Sequence, residues 1–235
     1  MCDKVNFFLE SNFMLHIDMI ESLKRGNAIV IDAQKEGVLL FNKLANIYMI
    51  SAKDNNAYKQ LISNISSANA IVAHQDFYVF DIVQRFKLNS VKKCWQSAYL
   101  SDRPIGGDGC KYAVVKLLTH QDADFVYSNY SLHISKAYII ERIAAGQICG
   151  AYIGEKLVGF IGMHQDGSIG ILEVLNEFRN KGIATLLVST MVKNAIELGW
   201  IPYAQSIVGN RESFDLQRKL NFQFGVDEYI YWIER

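Results

Sequence analysis

Apolar and polar positions along this chain repeat with two periods, and the second half shows both. Residues 169–175, Ile169-Gly170-Ile171-Leu172-Glu173-Val174-Leu175, form an almost wholly apolar run of strand length. In residues 181–198, Ile183, Leu186, Leu187, Thr190, Met191 and Ile196 recur near i, i+3, i+4 and i+7, the stripe of a helix with one core-facing side. A short basic turn joins the two. Upstream, the pattern predicts a strand at 112–117, then a helix capped by Thr119 that starts near His120, with Asp122 and Asp124 at its positive end. A second helix at 135–145 stops at Gly146. Strands at 147–153 and 157–163 flank the hairpin turn Gly154-Glu155-Lys156, and Gln165-Asp166-Gly167 makes the next turn. Downstream, Gly199 ends the long helix; a strand at 203–208, a helix at 211–219 and strands at 222–226 and 229–233 follow. The predicted order is β-α-α-β-β-β-α-β-α-β-β.

The first half alternates strand and helix. Strands are expected at 38–41 and 47–50, a helix at 51–62 with Asp54 near its start, a buried strand at 70–74, and a helix at 77–86 whose Phe77-Tyr78-Val79-Phe80 belongs to a core. The densest cluster of chain breakers is Ser101-Asp102-Arg103-Pro104-Ile105-Gly106-Gly107-Asp108-Gly109. It is the expected linker between an α/β domain at 1–105 and a second domain at 110–235, both of ordinary domain size.

Composition narrows the field. The 235 residues are half hydrophobic and one fifth charged, ordinary for a globular α/β (α+β) protein with a sizeable core. The 24 basic and 24 acidic residues cancel, so nothing points to nucleic acid or a membrane surface as partner. No apolar run reaches about 18 residues, so no membrane span is expected, and the N-terminal residues do not read as a signal peptide. Cys2, Cys94, Cys110 and Cys149 are scattered, without a CxxC or Cys/His cluster. No metal is therefore expected, and the thiols read as packed groups in a reduced, cytoplasmic setting. His120 and His164, each alone, read as structural residues.

The candidate chemistry lies in the turn Arg179-Asn180-Lys181-Gly182-Ile183-Ala184. The first N–H groups of a helix have no intrahelical partner and carry the positive end of its dipole, which suits a diphosphate. Gly182 and Ala184 let the backbone approach a ligand closely, and Arg179 and Lys181 add positive charge. The spacing is neither the Walker pattern nor GxGxxG.

R-x-x-G-x-A resembles the acyl-coenzyme A pyrophosphate loop of the GNAT N-acetyltransferase superfamily, Q/R-x-x-G-x-G/A. Val174 lies five residues before Arg179, as in that family's V-x-P-x-x-R run, with Asn176 replacing the proline. Further on, Asn210-Arg211-Glu212-Ser213 and Lys219-Leu220-Asn221-Phe222 resemble its N-x-x-S and K-L-G-F, with Asn221 for the glycine; Asn also tolerates the left-handed conformation of a helix C-cap. The resemblance implies a C-terminal GNAT fold with a central mixed, mostly antiparallel sheet flanked by helices. The segment Lys93-Cys94-Trp95-Gln96-Ser97-Ala98-Tyr99-Leu100 resembles glycine N-acyltransferase-like two-domain bacterial members, whose first domain is a smaller, degenerate GNAT-like copy. Residues 1–108 contain no such loop, so one coenzyme site is expected.

By the same resemblance, Leu172 and Val174 give main-chain bonds to the pantetheine arm. Arg179, Asn180, Lys181, Gly182, Ile183, Ala184 and Thr185 hold the pyrophosphate, and Asn210 stands beside the pantetheine end. From the residues themselves, Leu172 and Val174 also read as core strand positions and Asn210 as a helix N-cap. Acyl transfer to an amine needs a base, and Glu173, alone in an apolar strand, is the candidate; its alternative is a structural carboxylate paired with a cation. Many members of the family place a general-acid tyrosine seven residues after the Asn, and that position is Gln217, so the acid is unassigned. Ser213, Tyr203, Tyr229 and Tyr231 have no positional support for the role. The expected function is transfer of an acetyl group from acetyl-CoA, the cosubstrate, to a primary amine of an unidentified small molecule, by direct attack on the thioester. Competing readings are a non-catalytic acyl-CoA-binding or regulatory protein and a protein lysine or N-terminal acetyltransferase. A homodimer is compatible with all of them.

Overall fold

Residues 3–106, 109–132 and 134–235 are described in the computed structural model of the chain. They form two units. The first takes the chain up to Ala98 together with Gln205–Arg218 and Phe222–Arg235; the second is Tyr99–Ala204 with Lys219–Asn221. The linear cut expected at 105–110 divides the chain differently, because the last strands pair with the first ones. Gly107 and Asp108 of the expected linker, and Cys2, lie outside the described residues.

The first unit runs α1 (Asp3–Glu10), α2 (Ile17–Lys24), β1 (Ala28–Gln34), β2 (Gly37–Asn42), β3 (Ile47–Ala52), α3 (Asn55–Ile62), β4 (Ala70–Ala73), α4 (Val79–Phe86) and β5 (Ser90–Ala98). Two C-terminal strands, β11 (Gln223–Phe224) and β12 (Ile230–Glu234), complete its sheet. β12 lies antiparallel between β4 and β5, with Trp232 opposite Val72 on one side and Lys92 on the other, and β11 pairs with the end of β5. β1, β2 and β3 form an antiparallel meander, and β3 joins β4 in parallel. Apolar side chains fill two clusters, one around Leu39, Ile50, Tyr58 and Ile82, the other around Phe8, Met19, Leu40 and Met49.

The second unit contains β6 (Val114–Leu117), α5 (Ala123–Asn129), α6 (Lys136–Ala144), β7 (Ile148–Ile153), β8 (Lys156–Met163), β9 (Ile169–Val174) and α7 (Ile183–Glu197). β10 (Tyr203–Ile207) begins in this unit and ends in the first, followed by α8 (Arg211–Lys219). β6 to β9 are consecutive antiparallel neighbours, and β10 runs parallel to β9. The core gathers Val126, Ile139, Ile148, Phe160 and Ile171. The mixed, mostly antiparallel sheet with flanking helices is the expected one. The element order α-α-β-β-β-α-β-α-β, with a parallel fourth strand, also occurs in the first unit.

Several expectations need correction. The helix expected at 51–62 begins at Asn55, because Ser51 and Ala52 extend β3 and Asp54 caps the helix, accepting from the N–H groups of Asn56 and Ala57. The helix expected from His120 is a 3-10 turn before α5 begins at Ala123. The buried stripe of α7 is Ile183, Leu187, Val188, Met191, Val192 and Ala195, rotated from the expected one, so that Leu186, Thr190 and Ile196 are only half-buried. In the expected core helix at 77–86, Phe77 and Phe80 are exposed, whereas Tyr78 is buried and stacks on Tyr58 at 4.6 Å. Strand β1 and helices α1 and α2 had not been anticipated. Cys94, Cys110 and Cys149 are buried thiols.

Candidate functional site

The turn between β9 and α7 is built by two left-handed residues, Asn180 at φ 60° and Gly182 at φ 76°. Gly182 is the N-cap of α7 and offers no side-chain oxygen to the helix. Leu186 N–H closes the first turn on Gly182 O at 3.0 Å. The N–H groups of Ile183, Ala184 and Thr185 then have no acceptor among the described residues. The corresponding helix of the first unit, α3, has its N-terminus filled by the Asp54 carboxylate. An anion can therefore meet free donors at α7 and meets a negative charge at α3.

The two cations of the turn brace it. Arg179 donates through Nε to Val174 O at 3.1 Å and through a terminal nitrogen to Glu173 Oε1 at 2.9 Å. Lys181 donates to Glu177 O at 2.8 Å. Both side chains are thus turned onto the chain that precedes the helix. Glu173, the expected base, has a largely covered side chain and sits in an ion pair with Arg179, the cation-paired arrangement considered for it as the alternative.

Strand β9 carries a bulge. Ile171 and Leu172 together face the one residue Ile161 between the pairs Phe160↔Glu173 and Gly162↔Gly170. Ile171 has φ 50°, a conformation that strains a β-branched residue and breaks the alternation of the strand. Gly170 is obligatory beside it, since a Cβ there would lie 2.6 Å from the His164 ring. Leu175 N–H donates to Val158 O at 2.9 Å. That phase directs the Glu173 peptide groups to Phe160 and those of Val174 to the opposite edge. On that edge the pairing of β9 with β10 is the single step Ala204↔Ile169. In the first unit, β3 and β4 pair over three steps, from Tyr48↔Ile71 to Ile50↔Ala73, and His74 N–H adds a bond to Ile50 O. Among the described residues the edge of β9 beyond Ile169 is therefore not paired as β3 is, although the Val174 carbonyl accepts from Arg179 Nε.

Sequence reasoning missed Tyr130. Its phenol stands beside the Ile171 backbone and the Glu173 carboxylate, and burial, opposed by a hydrogen bond at Ile171, pushes its pKa up, so it is a neutral donor. His164, expected to be structural, bonds through Nδ1 with the Tyr138 hydroxyl at 2.9 Å, and burial pulls its pKa down to about 4.

The remaining candidates belong to the first unit. Asn210 Oδ1 accepts from Ser213 N–H at 3.1 Å and caps α8. Gln217, at the expected acid position, is buried. Its Oε1 accepts from Ser97 Oγ at 2.6 Å, and its Nε2 donates to Ser206 Oγ at 2.8 Å and Ser213 Oγ at 3.1 Å. The amide nitrogen of Gln217 donates, and its oxygen accepts, inside the unit. Among the described residues no group of His, Cys, Asp and Glu could hold a metal ion, and no helix is long and apolar enough to cross a membrane.

Residues 149–233 match the family model described as FR47-like protein. No curated protein matches the chain. Among solved structures, a putative GNAT-family acetyltransferase from Novosphingobium aromaticivorans superposes with a TM-score of 0.57 at 14% identity, over 94% of this chain and 96% of its own. A GNAT-family acetyltransferase from Colwellia psychrerythraea gives 0.54 at 11% identity, over 100% and 97%. A Drosophila protein gives 0.66 at 13% identity, over 85% and 74%. These likenesses establish the fold, and the FR47-like match adds the sequence pattern within it. Residues 149–233 thus carry an FR47-like sequence pattern, in a chain whose fold is similar to that of these GNAT-family acetyltransferases.

Proposed function

We propose that this protein is an acyl-CoA-dependent N-acyltransferase that moves an acetyl group from acetyl-CoA to a primary amine of a small molecule. The observation that carries the reading is the open N-terminus of α7, where Gly182 leaves the N–H groups of Ile183, Ala184 and Thr185 without acceptors among the described residues. A diphosphate fits that chemistry, with Asn180 and Lys181 beside it and Arg179 holding the turn in shape. The edge of β9 at Leu172 and Val174, unpaired with β10 and with the Val174 carbonyl shared with Arg179, suits the amides of an extended pantetheine arm, which would add to it as a strand does. When bound, the cosubstrate supplies an activated thioester carbonyl, which the amine attacks directly.

The residues of the chain then have one proton to manage before attack and one after. An ammonium must lose a proton to become a nucleophile. Glu173 takes it, directly or through one water: Oε1 is held by Arg179, while Oε2 has no hydrogen-bond partner among the described residues. Water returns a proton to the departing thiolate, since the Gln217 amide is engaged with three serines. Positioning does the rest.

The engagement of Gln217 and the Glu173–Arg179 pair also favour a second reading, an acyl-CoA-binding protein without turnover. Calorimetric titration with acetyl-CoA, beside a Gly182→Glu variant, tests the common part: the wild type binds and the variant does not. No binding by folded wild type overturns both readings. Thiol release with a panel of primary amines separates them, because the regulatory protein binds without releasing thiol beyond slow hydrolysis.

A further inference from the structure

A pocket lies within the first unit, away from the coenzyme turn in sequence. It has a volume of about 270 Å³ and is lined by Trp95 of β5 and by Arg211, Phe214, Asp215 and Arg218 of α8. Positions 211, 214, 215 and 218 follow the i, i+3, i+4, i+7 rule and share one face of the helix. The opposite face carries Gln217, tied to Ser97 and Ser206, so α8 is fixed in rotation and its outward face is preset. The aromatic wall is also fixed. Trp95 and Phe214 lie 4.9 Å apart, Phe214 packs on Phe224 at 4.6 Å, and Trp95 on Tyr229 at 6.0 Å.

Charge defines the rest of the site. Arg218 lies 5.8 Å from the centre of the Phe214 ring. Neither Arg211 nor Arg218 has a carboxylate within ion-pair distance among the described residues. With Asp215 the lining has two guanidinium groups and one carboxylate, a net single positive charge. A guanidinium fork binds a carboxylate in two parallel hydrogen bonds, and a rigid ring wall selects a flat partner.

We propose that this pocket is a binding site for a small planar aromatic monocarboxylate, with the ring against Trp95 and Phe214 and the carboxylate on Arg211 and Arg218. The single positive charge of the lining matches a monoanion better than a phosphate dianion, and Asp215 disfavours a second negative charge. This site is independent of the acyl-transfer reading.

The test is calorimetric titration of the full chain with benzoate and with 2-naphthoate, with benzamide and inorganic phosphate as controls. Saturable binding of both carboxylates is expected, 2-naphthoate the tighter, with benzamide at least tenfold weaker. The double variant Arg211→Gln, Arg218→Gln, whose changes are exposed, should keep its circular dichroism and lose at least tenfold in affinity. Trp95→Leu should weaken 2-naphthoate more than benzoate. The proposal is overturned if folded wild type binds neither carboxylate, if the double variant binds them as well as wild type, or if phosphate binds as tightly. Gly182→Glu should leave carboxylate binding unchanged; loss there would place the ligand at the coenzyme turn and sink this proposal.

Discussion

Glu173 shows how one side chain can be held between two roles. Arg179 fixes one carboxylate oxygen and the phase of β9 fixes the backbone beneath it. Replacing it by Gln keeps a hydrogen-bond acceptor for Arg179 and removes the carboxylate proposed as base. Turnover of an amine substrate should then fall by about 10²-fold or more, while acetyl-CoA affinity in calorimetry stays as it was; equal loss of both would assign Glu173 to the architecture of the turn. Gln217 makes the opposite case. Its amide serves Ser97, Ser206 and Ser213, so Gln217→Leu should cost about 1–3 kcal/mol, read as a lower urea midpoint, by stranding those hydroxyls. The residue identities at both positions were readable in the sequence. That Arg179 closes on Glu173 and that Gln217 is locked in place was not, because both depend on partners brought together by the fold.

Among the elements, β9 and α7 were legible because an apolar run and a 3.6-residue stripe meet at a glycine. The stripe was misjudged by a fraction of a turn, since α7 is apolar on more than one side and periodicity alone does not choose between adjacent apolar columns. Helices α1 and α2 are only eight residues long, too short for a repeat to stand out. In β1, Ile29, Val30 and Ile31 are all exposed along an edge, so no alternation marks the strand. The boundary between β3 and α3 was missed because Ser51 and Ala52 are neutral in pattern, and the decision lies with the Asp54 cap. Asp54→Ala should lower stability by about 1 kcal/mol in denaturant titration and leave acetyl-CoA binding unchanged, since the corresponding helix of the second unit has no such plug.

Across the whole molecule, each unit holds a histidine that burial keeps neutral. His16 lies in the first, bonded to Leu9 O and Ser51 Oγ, with its pKa lowered from 6.5 to about 4 by burial, then by the charge of His74 and of Lys53, against the opposing pull of Asp18. His164 lies in the second, lowered to about 4 by burial and by Arg142. The unfolded chain takes up these protons before the folded one does. The stability they contribute is therefore complete above pH 6.5 and is lost as the pH falls towards 4, with about 3 kcal/mol from His16 alone. Urea midpoints should drop over that interval, and His16→Gln should flatten the drop; a midpoint that is level from pH 7 to 4 would contradict it.

The place of β12 between β4 and β5 governs the order in which a growing chain can finish its parts. Synthesis delivers the N-terminal half first, yet that half receives an inner strand of its sheet only once Ile230–Glu234 have left the ribosome. Most of the other unit is one unbroken stretch, Tyr99–Ala204, and can close earlier. Until then, the nascent first unit offers two strand edges to any passing β-segment, so a product stalled or clipped before β12 is a substrate for chaperones and a seed for aggregation. Deleting residues 229–235 should accordingly expose β4 and β5 to hydrogen exchange, while the amides of β7 and β8 stay protected.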